Sequence, residues 1–129
     1  MIFVFGSNRA GIHGAGAAAF AAKHHGAQLG VGEGLTGNSY ALPTCDASIR
    51  PLPLSDITLH VDRFLAYAKE RPQLSFQVTR VGCGLAGYTD EQIAPLFLAA
   101  PDNVWLPAAF VRAVVHLVAR RAPSSARES

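Results

Sequence analysis

Thr79-Arg80-Val81-Gly82-Cys83-Gly84-Leu85-Ala86-Gly87-Tyr88-Thr89-Asp90 is a glycine-rich turn held between an apolar run, Leu74 to Val81, and a segment with helical spacing, Thr89 to Ala100. A turn of small residues between a buried strand and a helix is where an α/β protein presents backbone amides to a ligand. A second cluster, Gly11-Ile12-His13-Gly14-Ala15-Gly16, follows the apolar strand Ile2 to Phe5 and opens the alanine-rich segment Ala17 to His25. Two such junctions in one short chain point to one shared cleft.

Working outward, Ile2-Phe3-Val4-Phe5 is continuously apolar rather than alternating, the pattern of a central strand covered on both faces. Gly14 to His25 is rich in helix-forming alanine, ends in Lys23, His24 and His25 and stops at Gly26, so cations and a C-capping glycine sit where a helix end favours them. The glycine-dense stretch Gly30 to Asn38 has no apolar period and reads as a loop, followed by a short strand, Ser39 to Leu42, ending at Pro43. Pro53 to Glu70 carries Leu54, Ile57, Val61, Phe64, Leu65 and Ala68 at helical spacing behind a candidate N-cap, Ser55. Thr89-Asp90-Glu91-Gln92 fits a capping box, with Ile93, Leu96, Phe97 and Ala100 on one face of the helix it opens. Val104-Trp105-Leu106 reads as a last strand and Ala108 to Arg121 as a last helix. Strands alternating with helices predict an α/β fold, a three-layer α/β/α sandwich around a mixed, mostly parallel sheet.

With 129 residues the chain holds one core. We expect a single domain over residues 1–121 and a flexible tail over 122–129. The formal net charge is only +2, and Arg120, Arg121 and Arg127 near the C-terminus supply much of the excess. Without a Lys/Arg stripe or interleaved aromatics, nucleic acid is not an indicated partner. Cys45 and Cys83 lie far apart with no CxxC pair, and no basic region followed by a long apolar run opens the chain. No stretch reaches the roughly eighteen apolar residues of a membrane span. The expectation is a soluble, cytoplasmic protein with no membrane partner. Adjacent His24 and His25 point about 100° apart on a helix and do not share a zinc ion with Cys45, so no metal is expected.

Gly82-Cys83-Gly84-Leu85-Ala86-Gly87 satisfies the dinucleotide pattern G-x-G-x-x-G. Asp90 and Glu91 at the start of the next helix would repel a pyrophosphate placed there, and Asp102 precedes the next strand instead of ending it. Both features argue against a nicotinamide cofactor, and none is implied. Gly14-Ala15-Gly16-Ala17-Ala18, in contrast, offers N–H groups with no carboxylate nearby and no bulky side chain, a place for an anion. The plain alternative is that these small residues only let a helix pack closely on a sheet.

Phe5-Gly6-Ser7-Asn8, then residues 13–18, then Arg80 to Gly87, resemble in order the three ADP-ribose-contacting segments of macrodomains, and the last motif is most similar to the branch that removes terminal ADP-ribose. The resemblance spans about Ile2 to Pro107. It implies a macrodomain-like fold that binds ADP-ribose or a related nucleotide diphosphate, with ADP-ribosyl hydrolysis as the associated activity. Residue by residue it implies that Gly6, Ser7 and Asn8 contact the ligand, with Asn8 facing the distal ribose. Gly14, Ala15, Gly16 and Ala17 would form the first phosphate loop, and Gly82, Cys83, Gly84, Leu85, Ala86 and Gly87 the second, with the Leu85 and Ala86 amides on the pyrophosphate. In this chain only Met1 precedes the first strand, so the family's adenine-reading Asp has no counterpart in it, and Ala17 and Ala86 stand where catalytic members carry a loop Asp.

His13, beside the expected anion site, is the candidate general acid or base, with Asn8 as its companion, unless His13 only bonds backbone. Cys83 reads either as an activated thiol or as a small buried residue, Asp90 as a helix-capping charge, and Tyr88 as a stacking cover for the ligand or an exposed loop tyrosine. Two rival functions remain open. One is a non-catalytic module for another phosphorylated metabolite. The other is an interaction protein, oligomeric or with a separate partner, using Phe110, Val111, Val114 and Val118 of the last helix.

Overall fold

Ile2-Phe3-Val4-Phe5 forms the middle of the sheet, as its apolar run predicts. The computed structural model describes residues 1–120, so Arg121 and the expected tail, 122–129, lie outside the described residues. The elements are β1 (Ile2–Asn8), α1 (Gly16–His24), β2 (Gly34–Thr36), β3 (Ser39–Cys45), α2 (Leu54–Lys69), β4 (Phe76–Val78), α3 (Asp90–Ile93) running into a 3-10 turn (Ala94–Phe97), β5 (Val104–Trp105) and α4 (Ala108–Arg120). One sheet holds the strands in the order β2-β3-β1-β4-β5. β1 is parallel to β3 and β4, β4 is parallel to β5, and β2 alone is antiparallel, on the β3 edge. No described helix is long and apolar enough to cross a membrane.

Alternation along β1 divides the core. Ile2 and Val4 point into a large cluster with Leu42, Ile57, Phe64, Phe76, Ile93, Phe97 and Phe110, so α2, α3 and α4 share one face of the sheet. Phe5 points the other way, into a small cluster with Ala18, Ala21, Ala27 and Ala41 under α1, and Phe3 packs against it. The alanines of α1 therefore set a short helix-to-sheet distance on the thin face. Phe64 is the hub of the thick face, with ring contacts to Tyr40, Phe76 and Phe97.

Several local expectations are corrected. The helix expected over Thr89 to Ala100 is one α turn followed by a 3-10 turn, because Pro95 has no N–H to continue the ladder. The Thr89–Gln92 capping box forms as read, and Ile93 and Phe97 are still buried. α2 begins before Ser55, since the Pro53 carbonyl already accepts from the Asp56 and Ile57 amides. The strand expected over Leu74 to Val81 shortens to β4. β3 runs through Pro43 to Cys45, because β2 pairs with it no further than Ala41 and the proline falls on an open edge, where the β1 register also shifts. The stretch read as loop, 30–38, contains β2, since backbone pairing across the turn at Gly37 needs no apolar period. Of the α4 residues considered as a partner surface, Phe110 is fully buried in this chain's own core, while Val111, Val115 and Val118 form the exposed stripe.

The 30–34 segment is a strap rather than a free loop. The Gly30 amide donates to the Gly11 carbonyl at 2.9 Å, the Ser7 hydroxyl donates to the Gly32 carbonyl, and Glu33 binds His60 Nδ1 at 2.8 Å and Arg63 Nη1 at 2.9 Å on α2. Gly11 has φ of +70°, and a Cβ there would lie 2.4 Å from the Gly30 carbonyl carbon. Gly11→Ala is therefore expected to destabilise the fold by about 2–4 kcal/mol in urea unfolding. Gly14→Ala, where a Cβ meets nothing within 4 Å, should change it little, and equal effects of the two would contradict the strap.

Candidate functional site

Parallel strands deliver their carboxyl ends to one edge of the sheet, and connections leaving neighbouring strands on opposite faces open a crevice there. β1 leaves into α1 on the thin face, and β4 leaves toward α3 and α4 on the thick face. Between them lies a cleft of about 390 Å³, inside the range of about 300–1,000 Å³ usual for small-molecule sites.

The two glycine-rich loops converge on it. Gly6, Ser7, Asn8, residues 14–17 and residues 82–86 line the cleft; Gly87, Tyr88 and His13 do not. The second loop packs close to β1: a Cβ on Gly6 would come within 3.2 Å of Thr44 Oγ1 and 3.5 Å of the Gly82 nitrogen.

The main-chain donors of the first loop are unspent. α1 has no side-chain N-cap and no acidic residue in its first turn, and among the described residues no protein group accepts from the amides of residues 14–18. Residues 14–17 are exposed, so these N–H groups face water and the positive end of α1 adds to their field. The second loop is half spent. The Cys83, Gly87 and Tyr88 amides donate to the carbonyls of Arg80, Gly84 and Gly82, which closes the turn, while those of Gly82, Gly84, Leu85 and Ala86 have no acceptor among the described residues. Residues with unpaired main-chain donors in both loops thus line one cleft.

Polar side chains of the wall are, in contrast, engaged. Asn8 is buried, and its carboxamide brackets the turn that follows: the Ile12 amide donates to Oδ1 at 3.0 Å and Nδ2 donates to the Ile12 carbonyl at 2.8 Å. Thr79 donates to the Val4 carbonyl at 2.8 Å and Thr44 to the Ser7 carbonyl at 3.4 Å. Arg80 holds Asp90 with two bonds, Nε to Oδ1 at 2.9 Å and Nη2 to Oδ2 at 3.0 Å, and this pairing keeps the Asp90 carboxyl below its ordinary range.

The chemistry candidates separate accordingly. His13 Nε2 meets the Gln28 carbonyl at 2.9 Å and the ring stands edge-on to Phe5, so this histidine secures the loop from behind. Its Nδ1 is buried without a partner among the described residues. Tyr88 donates its hydroxyl to the Leu52 carbonyl and packs against the core, fastening the second loop instead of covering the cleft. Cys83 does line the cleft, but burial, reinforced by the neighbouring Asp90 carboxylate, pushes its thiol up to about 11. Asp90 is the first residue of α3 and the partner of Arg80, as its capping role suggests. Among the described residues no three His, Cys, Asp or Glu side chains are placed to hold a metal ion.

Several wall residues, Thr44, Thr79 and Ile49 among them, are not among the expected ligand contacts, and Arg80 reads only as the start of the third segment. Arg80 had a visible signal, an opposite charge across the glycine loop at Asp90. Ile49 had none: it stands at φ of +62° in a turn that Asp46 closes by accepting from the Ser48 and Arg50 amides at 2.8 and 3.0 Å. An isoleucine in the left-handed region is a strained residue, and it lines the cleft.

No protein-family model, curated protein or solved structure matches this chain. The resemblance to macrodomains therefore rests on the short sequence motifs alone.

At pH 8, iodoacetamide should alkylate Cys83 about a hundredfold more slowly than a thiol of ordinary acidity, because the thiolate forms only near pH 11. Asp90→Asn, which removes the repelling carboxylate, should speed the reaction, read by mass spectrometry of the modified peptide. A wild-type rate matching a free peptide thiol would refute the protected setting.

Proposed function

We propose that this protein binds ADP-ribose or a related nucleotide diphosphate in the cleft at the carboxyl ends of β1, β3 and β4. The observation that carries the reading is the convergence of two loops whose amides, residues 14–18 on one side and Gly82, Gly84, Leu85 and Ala86 on the other, have no acceptor among the described residues. Charge-assisted bonds from main-chain N–H groups to phosphate oxygens are about twice as strong as neutral ones, and two loops suit the two phosphates of a diphosphate. The order of the three macrodomain-like segments supports the same ligand. Asn8 contributes by shaping the first loop, with one N–H of its carboxamide left over for a ribose hydroxyl.

The reading is one of binding. Among the described residues that line the cleft there is no Asp, Glu or His. Hydrolysis of an ADP-ribosyl bond would need its base from the ligand's own phosphate.

Calorimetry with ADP-ribose tests the proposal, and absence of heat at millimolar ligand would end it. Ala17→Asp is the sharper variant. A carboxylate in the first turn of α1 should hold or slightly raise the melting temperature, because it complements the helix end, while cutting affinity for the diphosphate at least about tenfold by repulsion. Unchanged affinity would move the anion away from α1.

A further inference from the structure

The cleft also carries exposed aliphatic side chains. Ile12, Ile49 and Leu85 all line it and remain 45%, 40% and 74% exposed, an unusual exposure for side chains turned toward a concave site. Each comes from a different segment. Ile12 follows the Asn8 bracket, Leu85 sits at the crest of the second loop, and Ile49 is held out by the Asp46-closed turn at a backbone angle that isoleucine resists. Keeping a β-branched residue in the left-handed region costs about 1–3 kcal/mol. Glycine would fill that turn without strain, so the side chain itself is what the strained geometry supplies to the cleft.

Few side chains of this wall are placed to read the edge of a base. Among the described residues no carboxylate lines the cleft, Thr44 and Thr79 donate to main-chain carbonyls, Asn8 gives one N–H to the Ile12 carbonyl, and Arg80 gives two donors to Asp90. A site that hydrogen-bonds a substrate group rejects the analogue lacking it by about 10⁴–10⁵, whereas an apolar pocket separates similar shapes only about 10–200-fold. This wall is of the second kind.

Resting on the nucleotide-diphosphate reading, we infer that the site is indifferent to the base: it takes nucleoside diphosphates as a class, holding the phosphates by main-chain amides and any planar base against the Ile12, Ile49 and Leu85 side chains. Ile49 is a specificity-determining residue for the presence of a base and not for its identity.

Calorimetry of the full chain with ADP, GDP, CDP, UDP, ADP-ribose and inorganic pyrophosphate tests this. The four nucleoside diphosphates should agree within about tenfold and bind at least about tenfold tighter than pyrophosphate, which has no base to place against the aliphatic rim. Ile49→Gly should narrow that gap by about three- to tenfold for every base, leave pyrophosphate unchanged, and leave the melting temperature level or higher, since strain is relieved. A preference above about a hundredfold for one base, a pyrophosphate affinity equal to that of the nucleotides, or an Ile49→Gly effect confined to one base would overturn the inference while ADP-ribose binding kept the broader reading intact. If no member of the panel binds, both fall together.

Discussion

The Asn8 carboxamide holding both the amide and the carbonyl of Ile12 is the interaction on which the cleft depends. β1 pairs with β3 over Phe3–Asn8 and with β4 over Ile2–Val4 and is covered on both faces, which fixes its course up to the register shift at Ser7 and Asn8. There a buried side chain replaces the ladder and turns the chain toward α1. Gly11 then wedges against Gly30, and the strap through Ser7, Glu33, His60 and Arg63 fixes the turn from outside. The loop is consequently held in place by hydrogen bonds within the protein.

Unpaired N–H groups are costly only when water cannot reach them, about 1–3 kcal/mol each in a dry interior. Here residues 14–17, Gly84 and Leu85 are exposed, so water can serve the donors of an empty cleft. An anion displacing that water gains both the bonds and the field of α1. Small side chains leave these amides uncovered. The loop carbonyls serve a different purpose, since those of Arg80, Gly82 and Gly84 close the second turn internally.

The side chains with recognisable chemistry mostly serve the scaffold. His13 and Tyr88 bind carbonyls behind the two loops, Cys83 keeps its proton next to Asp90, and Arg80 spends two donors on that same carboxylate. Residue type suggested acid–base or nucleophilic roles that local geometry redirects. Most polar side chains of the wall are thereby engaged with the scaffold, while main-chain donors of both loops are not.

Much of this was legible in the chain. The central strand, the alanine helix ended by Gly26, the capping box at Thr89 and the two small-residue junctions all follow from short-range rules of period, capping and backbone freedom, and they are where those rules placed them. Pro95 was passed over, because the apolar spacing of Ile93, Leu96 and Phe97 reads as continuous helix across it. Other features required the folded chain. The pairing of β2 with β3, the Gly6 approach to Gly82 and the cleft-facing, strained Ile49 depend on contacts between segments far apart in sequence, which no local pattern encodes. The amino-acid order thus determined which backbone groups would be free to donate; only tertiary packing decided which way they faced, because direction is set by the groups behind a loop and not by the residues within it.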